Sequence, residues 1–258
     1  MKITIIGAGN MGGAIARALV LHSGIDACDI TCTARSEVSL ERLGYGFSLT
    51  TDNHEAVEGA DVVIFAVKPW MIEEVVKDVV PYMDLKRQIV ASVAAGVSFE
   101  QLSQWLVNSS VAMFRIIPNT AVEVGSGVTF LSSKNASEDQ RKLVVGLFEN
   151  MGYALEVEES MMAAGTALAS CGIAYAMKYI KASSEGGQSL GFDVEQARKI
   201  VEYTVKGAAD LLLANEADPQ KEIDKVTTPG GMTMKGLAAM DESGFDAAVR
   251  SGLDACLK

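Results

Sequence analysis

Ile3-Thr4-Ile5-Ile6-Gly7-Ala8-Gly9-Asn10-Met11-Gly12 is the segment on which the fold is decided. Four apolar or β-branched residues predict a buried strand, and the periodic stretch after the glycines predicts a helix over 11–22. Between them the glycines fall in the GxGxxG spacing. Gly7 permits a tight turn, Gly9 lets the backbone approach a pyrophosphate, and Gly12 lets helix and strand pack closely. Free N–H groups at the helix start, aligned with its dipole, then favour an anion. The alternative is a glycine turn without a ligand, but the strand before and the helix after supply the context that a bare GxGxxG lacks.

Working outward, the first half alternates short β-rich runs with helical stretches. Strands are expected at 2–6, 29–33, 62–66, 88–91 and 111–116, with helices at 53–58, 70–82 and 99–106 and a turn near 36–43. Two further strands, 128–131 and 153–156, flank a helix over 138–151. Most of these strands are continuously apolar, the pattern of a parallel sheet covered on both faces. After about residue 158 strand signals vanish. Long helices rich in Ala, Leu and Met are expected at 167–190 and 194–216, with shorter ones at 232–241 and 245–257. The expected architecture is α/β: an N-terminal Rossmann doubly wound parallel sheet over 1–158, followed by an all-α C-terminal dimerisation domain over 159–258. Helices apolar over so much of their circumference need cover that a hairpin of two cannot give, so self-association through the C-terminal helices is expected.

Composition narrows the partners. The chain has 258 residues, enough for a substantial core. Its 49% hydrophobic content is globular, and 6% aromatics with abundant Ala, Val, Met and Gly favour close-packed helices over an aromatic β sandwich. A net charge of −11 repels nucleic-acid backbones and anionic lipid, so neither nucleic acid nor a membrane is an expected partner. No continuous apolar run reaches the roughly 18–20 residues that span a bilayer. Cys28, Cys32, Cys171 and Cys256 form no CxxC pair and, with only His22 and His54, assemble no tetrahedral zinc site. Free thiols in a reducing cytoplasm, and no metal, are the expectation.

The end of the second strand bears on the cofactor. NAD-specific folds place Asp or Glu there to grip the ribose 2′-hydroxyl. This chain reads Thr31-Cys32-Thr33-Ala34-Arg35-Ser36, with no acid before Glu37. Arg35 can stack on adenine and pair with a 2′-phosphate, and Ser36 can donate to it. NADP is the expected cofactor, NADPH being preferred and NADH the alternative. Far downstream, Thr228-Pro229-Gly230-Gly231-Met232-Thr233 precedes a helix. Consecutive glycines there form a nest of backbone N–H groups suited to a carboxylate, with Thr228 and Thr233 adding hydroxyls. The alternative is a helix-capping turn.

Five segments in order carry a resemblance: Gly7 to Ile15, Ala66-Val67-Lys68-Pro69, Ser92-Val93-Ala94-Ala95-Gly96-Val97, Arg115-Ile116-Ile117-Pro118-Asn119-Thr120, and Val226-Thr227-Thr228-Pro229-Gly230-Gly231-Met232-Thr233. Together they resemble the pyrroline-5-carboxylate reductases, which reduce the cyclic imine 1-pyrroline-5-carboxylate to L-proline in the last step of proline biosynthesis. The resemblance implies that Ala66, Val67, Lys68 and Pro69 lie along the cofactor, with Asn53 at its adenosine part. It puts Ala94, Ala95 and Gly96 at the nicotinamide side, and adds Asn119 to the cofactor site. It also implies that Thr228, Gly230, Gly231 and Met232 hold the substrate carboxylate while Thr233 bonds the ring nitrogen. Thr166 and Glu216 fall at substrate-side positions, Glu159 near them, and substrate and cofactor would meet at the domain junction. For Lys68 the alternative is an exposed loop cation, for Asn119 a turn residue, for Glu216 and Glu159 helix ends.

The sequence also departs from the family. Thr166-Ala167-Leu168-Ala169-Ser170-Cys171-Gly172-Ile173-Ala174-Tyr175 keeps Thr166, Gly172 and Tyr175 but has Ile173 for a proline, Ala169 for a small polar residue, and Ala163 for an upstream Asp. Substrate choice or rate could follow these changes. Three rival readings are another imine reductase, a 3-hydroxyacid dehydrogenase of the same architecture, and a non-catalytic NADP-binding regulator. The second uses a lysine and an asparagine one helical turn apart; here Lys178 is followed at that spacing by Ala182.

Overall fold

A computed structural model describes residues 1–108 and 110–257. One sheet has the order β3-β2-β1-β4-β5-β6-β7-β8. The strands are β1 (Ile3–Ile6), β2 (Ile30–Thr33), β3 (Ser48–Thr50), β4 (Val62–Phe65), β5 (Ile89–Ser92), β6 (Met113–Pro118), β7 (Gly127–Lys134) and β8 (Gly152–Glu156). Every neighbouring pair is parallel except β6 with β7, which run antiparallel. Residues 119–126 between these two hold only a 3-10 turn, Thr120–Val124, too short for the crossover that a parallel pair needs. The sheet is therefore mostly rather than wholly parallel.

The pleat sorts side chains onto two cores. Ile3, Ile5 and Ile64 pack with Ala14, Ile15 and Leu19 of α1 (Asn10–Ser23) and Val144 and Phe148 of α6 (Glu138–Glu149). Ile6, Val63 and Phe65 pack on the opposite face, with Ile72, Val76 and Val79 of α4 (Ile72–Val79) and Phe99, Leu102 and Trp105 of α5 (Phe99–Trp105). Both faces are covered, which is why these strands read as apolar runs. Ser98 with Gln101 and Ser137 with Gln140 form capping boxes that start α5 and α6. Gly24, at φ +67°, ends α1 by donating its N–H to Leu19 O.

Several expectations are corrected at element ends. The stretch 36–43 contains a short helix, α2 (Glu37–Glu41), and β3 adds an edge strand that the sequence pattern did not reveal. α3 (Asn53–Val57) is as expected. The helix expected over 70–82 begins only at Ile72 and tightens into a 3-10 turn at Val80–Tyr82, which leaves Trp70 outside it.

Contacts divide the chain into two compact units, Met1–Ser170 and the residues from Cys171 onward. This division falls twelve residues after the 158/159 boundary expected from composition. The reason is local: in α7 (Met162–Gly165) a Cβ on Gly165 would stand 2.7 Å from the Phe130 ring, and Ser170 Oγ donates to Pro118 O at 3.1 Å. A π-helical stretch, Thr166–Cys171, then leads into α8 (Gly172–Ser189). Among the described residues, the regular elements of the second unit are all helices: α8, α9 (Val194–Asn215), α10 (Pro219–Lys225), α11 (Met232–Glu242) and α12 (Phe245–Ala255). α10 was not expected, although Asp218 caps it and Pro219 occupies its first turn.

One expectation about hydropathy is overturned. Glu159–Ser189 is a 31-residue helical run with a window of mean hydropathy 1.3, long and apolar enough by length and composition to cross a membrane. Counting unbroken apolar runs missed it because isolated polar residues interrupt the window. Only 22% of that window is buried within the chain. Among the described residues after Ser170, only Ser184 and Ala197 are buried.

Candidate cofactor and substrate sites

The glycine loop is built as its spacing requires. Gly7 has φ +94°, and a Cβ there would lie 2.7 Å from Val67 Cγ1. At Gly12 a Cβ would collide with Gly7 O and stand 3.0 Å from Ala66 Cβ. At Gly9 it would meet nothing within 4 Å. Gly7 and Gly12 are therefore demanded by the fold, whereas Gly9 faces open space that a ligand can fill. No side chain caps the start of α1, which leaves its first amides open to an anion. Thr33 braces the loop: its carbonyl accepts from Gly7 N at 3.2 Å and Ala8 N at 2.7 Å, and its hydroxyl donates to Asn53 Oδ1 at 2.7 Å.

Two clefts flank this loop at the carboxyl ends of the parallel strands, where ligands bind in open α/β sheets. The first, about 550 Å³, is lined by Gly7, Ala8, Gly9, Thr33, Ala34, Arg35, Ser39, Asn53, Trp70 and Met71 among others. The second, about 540 Å³, is lined by Asn10, Met11, Pro69, Ala94, Ala95, Pro118, Thr120, Thr166 and Ser170 among others. Both include Gly9, Ala66, Val67 and Lys68. A dinucleotide has two nucleoside ends joined by a pyrophosphate, and two clefts meeting at a glycine loop fit that outline. Lys68 makes no ion pair among the described residues, which leaves its ammonium available to phosphate or ribose.

Not every expected cofactor residue lines a cleft. Ser36 Oγ lies 3.0 Å from Ser39 Oγ, and it is Ser39 that lines the first cleft. Gly96 lines neither cleft and takes φ +82° in the turn after β5. Asn119 is buried, and its Oδ1 accepts from Ala121 N at 3.2 Å and Val128 N at 3.3 Å, so it holds the turn between β6 and β7. The neighbouring Thr120 reaches the second cleft. Glu159 is likewise engaged: one oxygen accepts from Arg115 Nη1 at 2.8 Å and Phe99 N at 2.7 Å. Trp70, Ser39 and Ser170 line the clefts without having been singled out from sequence.

In the second unit Gly230 takes φ +75° and Gly231 starts α11 without a side-chain cap. Thr228 O accepts from Gly231 N at 2.9 Å, and a Cβ on Gly231 would lie 2.5 Å from Thr228 Oγ1. Both glycines are thus required by the turn. The amides of Met232 and Thr233 open the helix, Met232 being 91% exposed. Among the described residues the hydroxyls of Thr228 and Thr233 have no hydrogen-bond partner. Thr166 differs: its hydroxyl donates to Met162 O at 2.7 Å. Glu216 is the left-handed residue that ends α9, at φ +46°. Tyr175 donates to Gly252 O at 3.0 Å and lies 2.9 Å from Cys256 Sγ. That thiol, hydrogen-bonded to the phenol, pushes Tyr175 up to about 12.

Comparison with known proteins settles the kinship. Residues 159–258 match the family model described as pyrroline-5-carboxylate reductase dimerisation, and residues 2–96 match NADP oxidoreductase coenzyme F420-dependent. The pyrroline-5-carboxylate reductase of Aquifex aeolicus is 34% identical over 96% of this chain and 92% of its own length. The chain belongs to the pyrroline-5-carboxylate reductase family. Pyrroline-5-carboxylate reductase 1 of Dictyostelium discoideum is also 34% identical over 97% of this chain, which spans only 48% of that protein's length. The Plasmodium falciparum pyrroline carboxylate reductase, solved with NADP bound, superposes with a TM-score of 0.90 at 25% identity, covering 99% of this chain and 95% of its own.

Proposed function

We propose that this chain is an NADPH-dependent reductase of 1-pyrroline-5-carboxylate, a cytoplasmic enzyme producing L-proline and working as a dimer or higher oligomer. In this reading residues 1–158 hold the cofactor, and residues 159–258 hold the substrate and the partner subunit. The observation that carries it is the loop 228–233. Its left-handed Gly230, uncapped helix start and two unengaged threonine hydroxyls form a carboxylate nest in a chain whose other unit carries a dinucleotide loop. Arg35 at the rim of the first cleft, with no acid at the end of β2, favours the 2′-phosphate of NADPH over the free ribose of NADH.

The chemistry asks little of the protein's side chains. A protonated cyclic imine is already electrophilic at carbon, and when bound NADPH supplies the hydride. The chain must place the imine carbon about 3–3.5 Å from the nicotinamide ring and hold it there. The amides at the start of α11 hold the carboxylate against a net charge of −11. Thr233 Oγ1 positions the ring nitrogen by a hydrogen bond and need not be a strong acid. Thr233→Ala should lower kcat/KM for the imine roughly 10–1000-fold, about 1.4–4 kcal/mol, with NADPH affinity retained. An unchanged kcat/KM removes Thr233 from the mechanism, and consumption of hydroxyacids in place of the imine removes the substrate assignment.

A further inference from the structure

Trp70 is unexplained by the fold. It stands in the turn between β4 and α4, 79% exposed, and lines the first cleft with Arg35, Asn53 and Met71. Leaving an indole in water forgoes the burial that usually places tryptophan inside. The chain's other tryptophan, Trp105, follows that rule at 8% exposure in the α5 core. The cleft's other apolar lining residues, among them Ile6, Ala34, Val67 and Val75, are aliphatic, so among the described residues Trp70 is the one aromatic ring that lines it. Arg35 reaches the same loop, its Nη2 lying 2.5 Å from Met71 Sδ. An exposed flat ring after β4 and a guanidinium after β2, lining one cleft, match a purine base: one π-face for stacking and one cation for stacking or phosphate contact.

We propose that Trp70 is a positioning residue for the cofactor, the platform on which the adenine of NADPH stacks. This rests on the reading of the first cleft as the adenosine site. The second cleft takes the nicotinamide end, so Trp70 acts on cofactor affinity and leaves the chemistry at the imine untouched.

Adenosine 2′,5′-bisphosphate is the probe, since it carries the adenine and the 2′-phosphate but no nicotinamide to draw energy from the indoles. Titrated into the intact protein, it should quench the exposed-tryptophan emission saturably, and Trp70→Phe should abolish the quench while calorimetry shows affinity within about threefold of wild type. Trp70→Leu, which keeps apolar bulk without a π-face, should weaken both the bisphosphate and NADPH by about tenfold or more, the worth of a base–aromatic stack. At saturating NADPH its kcat should be unchanged. Equal affinity in Trp70→Leu and wild type, or a quench that survives in Trp70→Phe, overturns the proposal. A change of oligomeric state in Trp70→Leu with affinity intact also overturns it, because the indole then covers a subunit contact. Normal bisphosphate binding without imine reduction would instead count against the function proposed above and leave Trp70 standing.

Discussion

The two units of this chain are stabilised in different ways. The N-terminal unit buries its strands on both faces, with Ile5, Phe65, Leu102 and Phe148 almost wholly removed from water. The helices after Ser170 bury two residues among those described, while Ile200, Tyr203, Leu211, Leu213 and Met232 stay exposed. On α9, Ile200, Tyr203, Gly207 and Leu211 recur at i, i+3, i+7 and i+11, an apolar seam with a glycine at its centre. Exposed apolar surface of this kind marks a site of protein association, and the dimerisation match over 159–258 agrees. The first unit specifies its fold from within; the second completes its core by association.

That contrast can be broken most severely at the seam. Leu211→Glu on a free surface would change stability by no more than about 0.5 kcal/mol. Within a subunit interface it buries an unpaired carboxylate, costing several kcal/mol, and should convert the oligomer to monomer in sedimentation runs with loss of activity. An unchanged mass would place the seam outside the interface.

Next in size are two glycines three residues apart. Gly12→Ala drives a Cβ against Gly7 O and should lower stability by about 1–3 kcal/mol, read as a fall in Tm. Gly9→Ala meets open space, so Tm should hold while NADPH affinity falls at least tenfold in calorimetry. Equal Tm losses in both would erase the distinction between a glycine kept for packing and one kept for a ligand. Smaller again, Arg35→Ala should cut the NADPH-over-NADH preference in kcat/KM by roughly 10–100-fold, the worth of charge-assisted hydrogen bonds to a 2′-phosphate.

The smallest effect is at Asp61. The Lys2 backbone N–H, followed by Arg87, holds its carboxyl below the usual range. A depressed folded value means stability present above the ordinary aspartate value of 3.8 and lost as pH falls below it. Asp61→Asn should therefore lower the urea midpoint slightly at pH 7, with the gap to wild type closing in strong acid; a constant gap would exclude this ionisation.

The parts legible in sequence were those where one residue type answers one physical demand. Gly7 to Gly12, the two-sided strands and the acid-free end of β2 all belong to this class, and so do Gly230 and Gly231. What stayed hidden depends on neighbours distant in sequence. β3 is three residues at a sheet edge with exposed Ser48 and Leu49, so it carries no hydrophobic pattern. The antiparallel β6–β7 pair follows from the length of a link. Asn119 looked free to meet a ligand until Val128 N claimed its oxygen. Trp70 read as helix, whereas α4 begins two residues later and leaves the indole in the cleft.

The most direct test supplies the purified protein with NADPH deuterated at the transferable position of the nicotinamide C4, together with 1-pyrroline-5-carboxylate. The account predicts L-proline carrying one deuterium at the former imine carbon, formed at the rate of NADPH consumption. Unlabelled proline, or no consumption of NADPH with this imine, would contradict it.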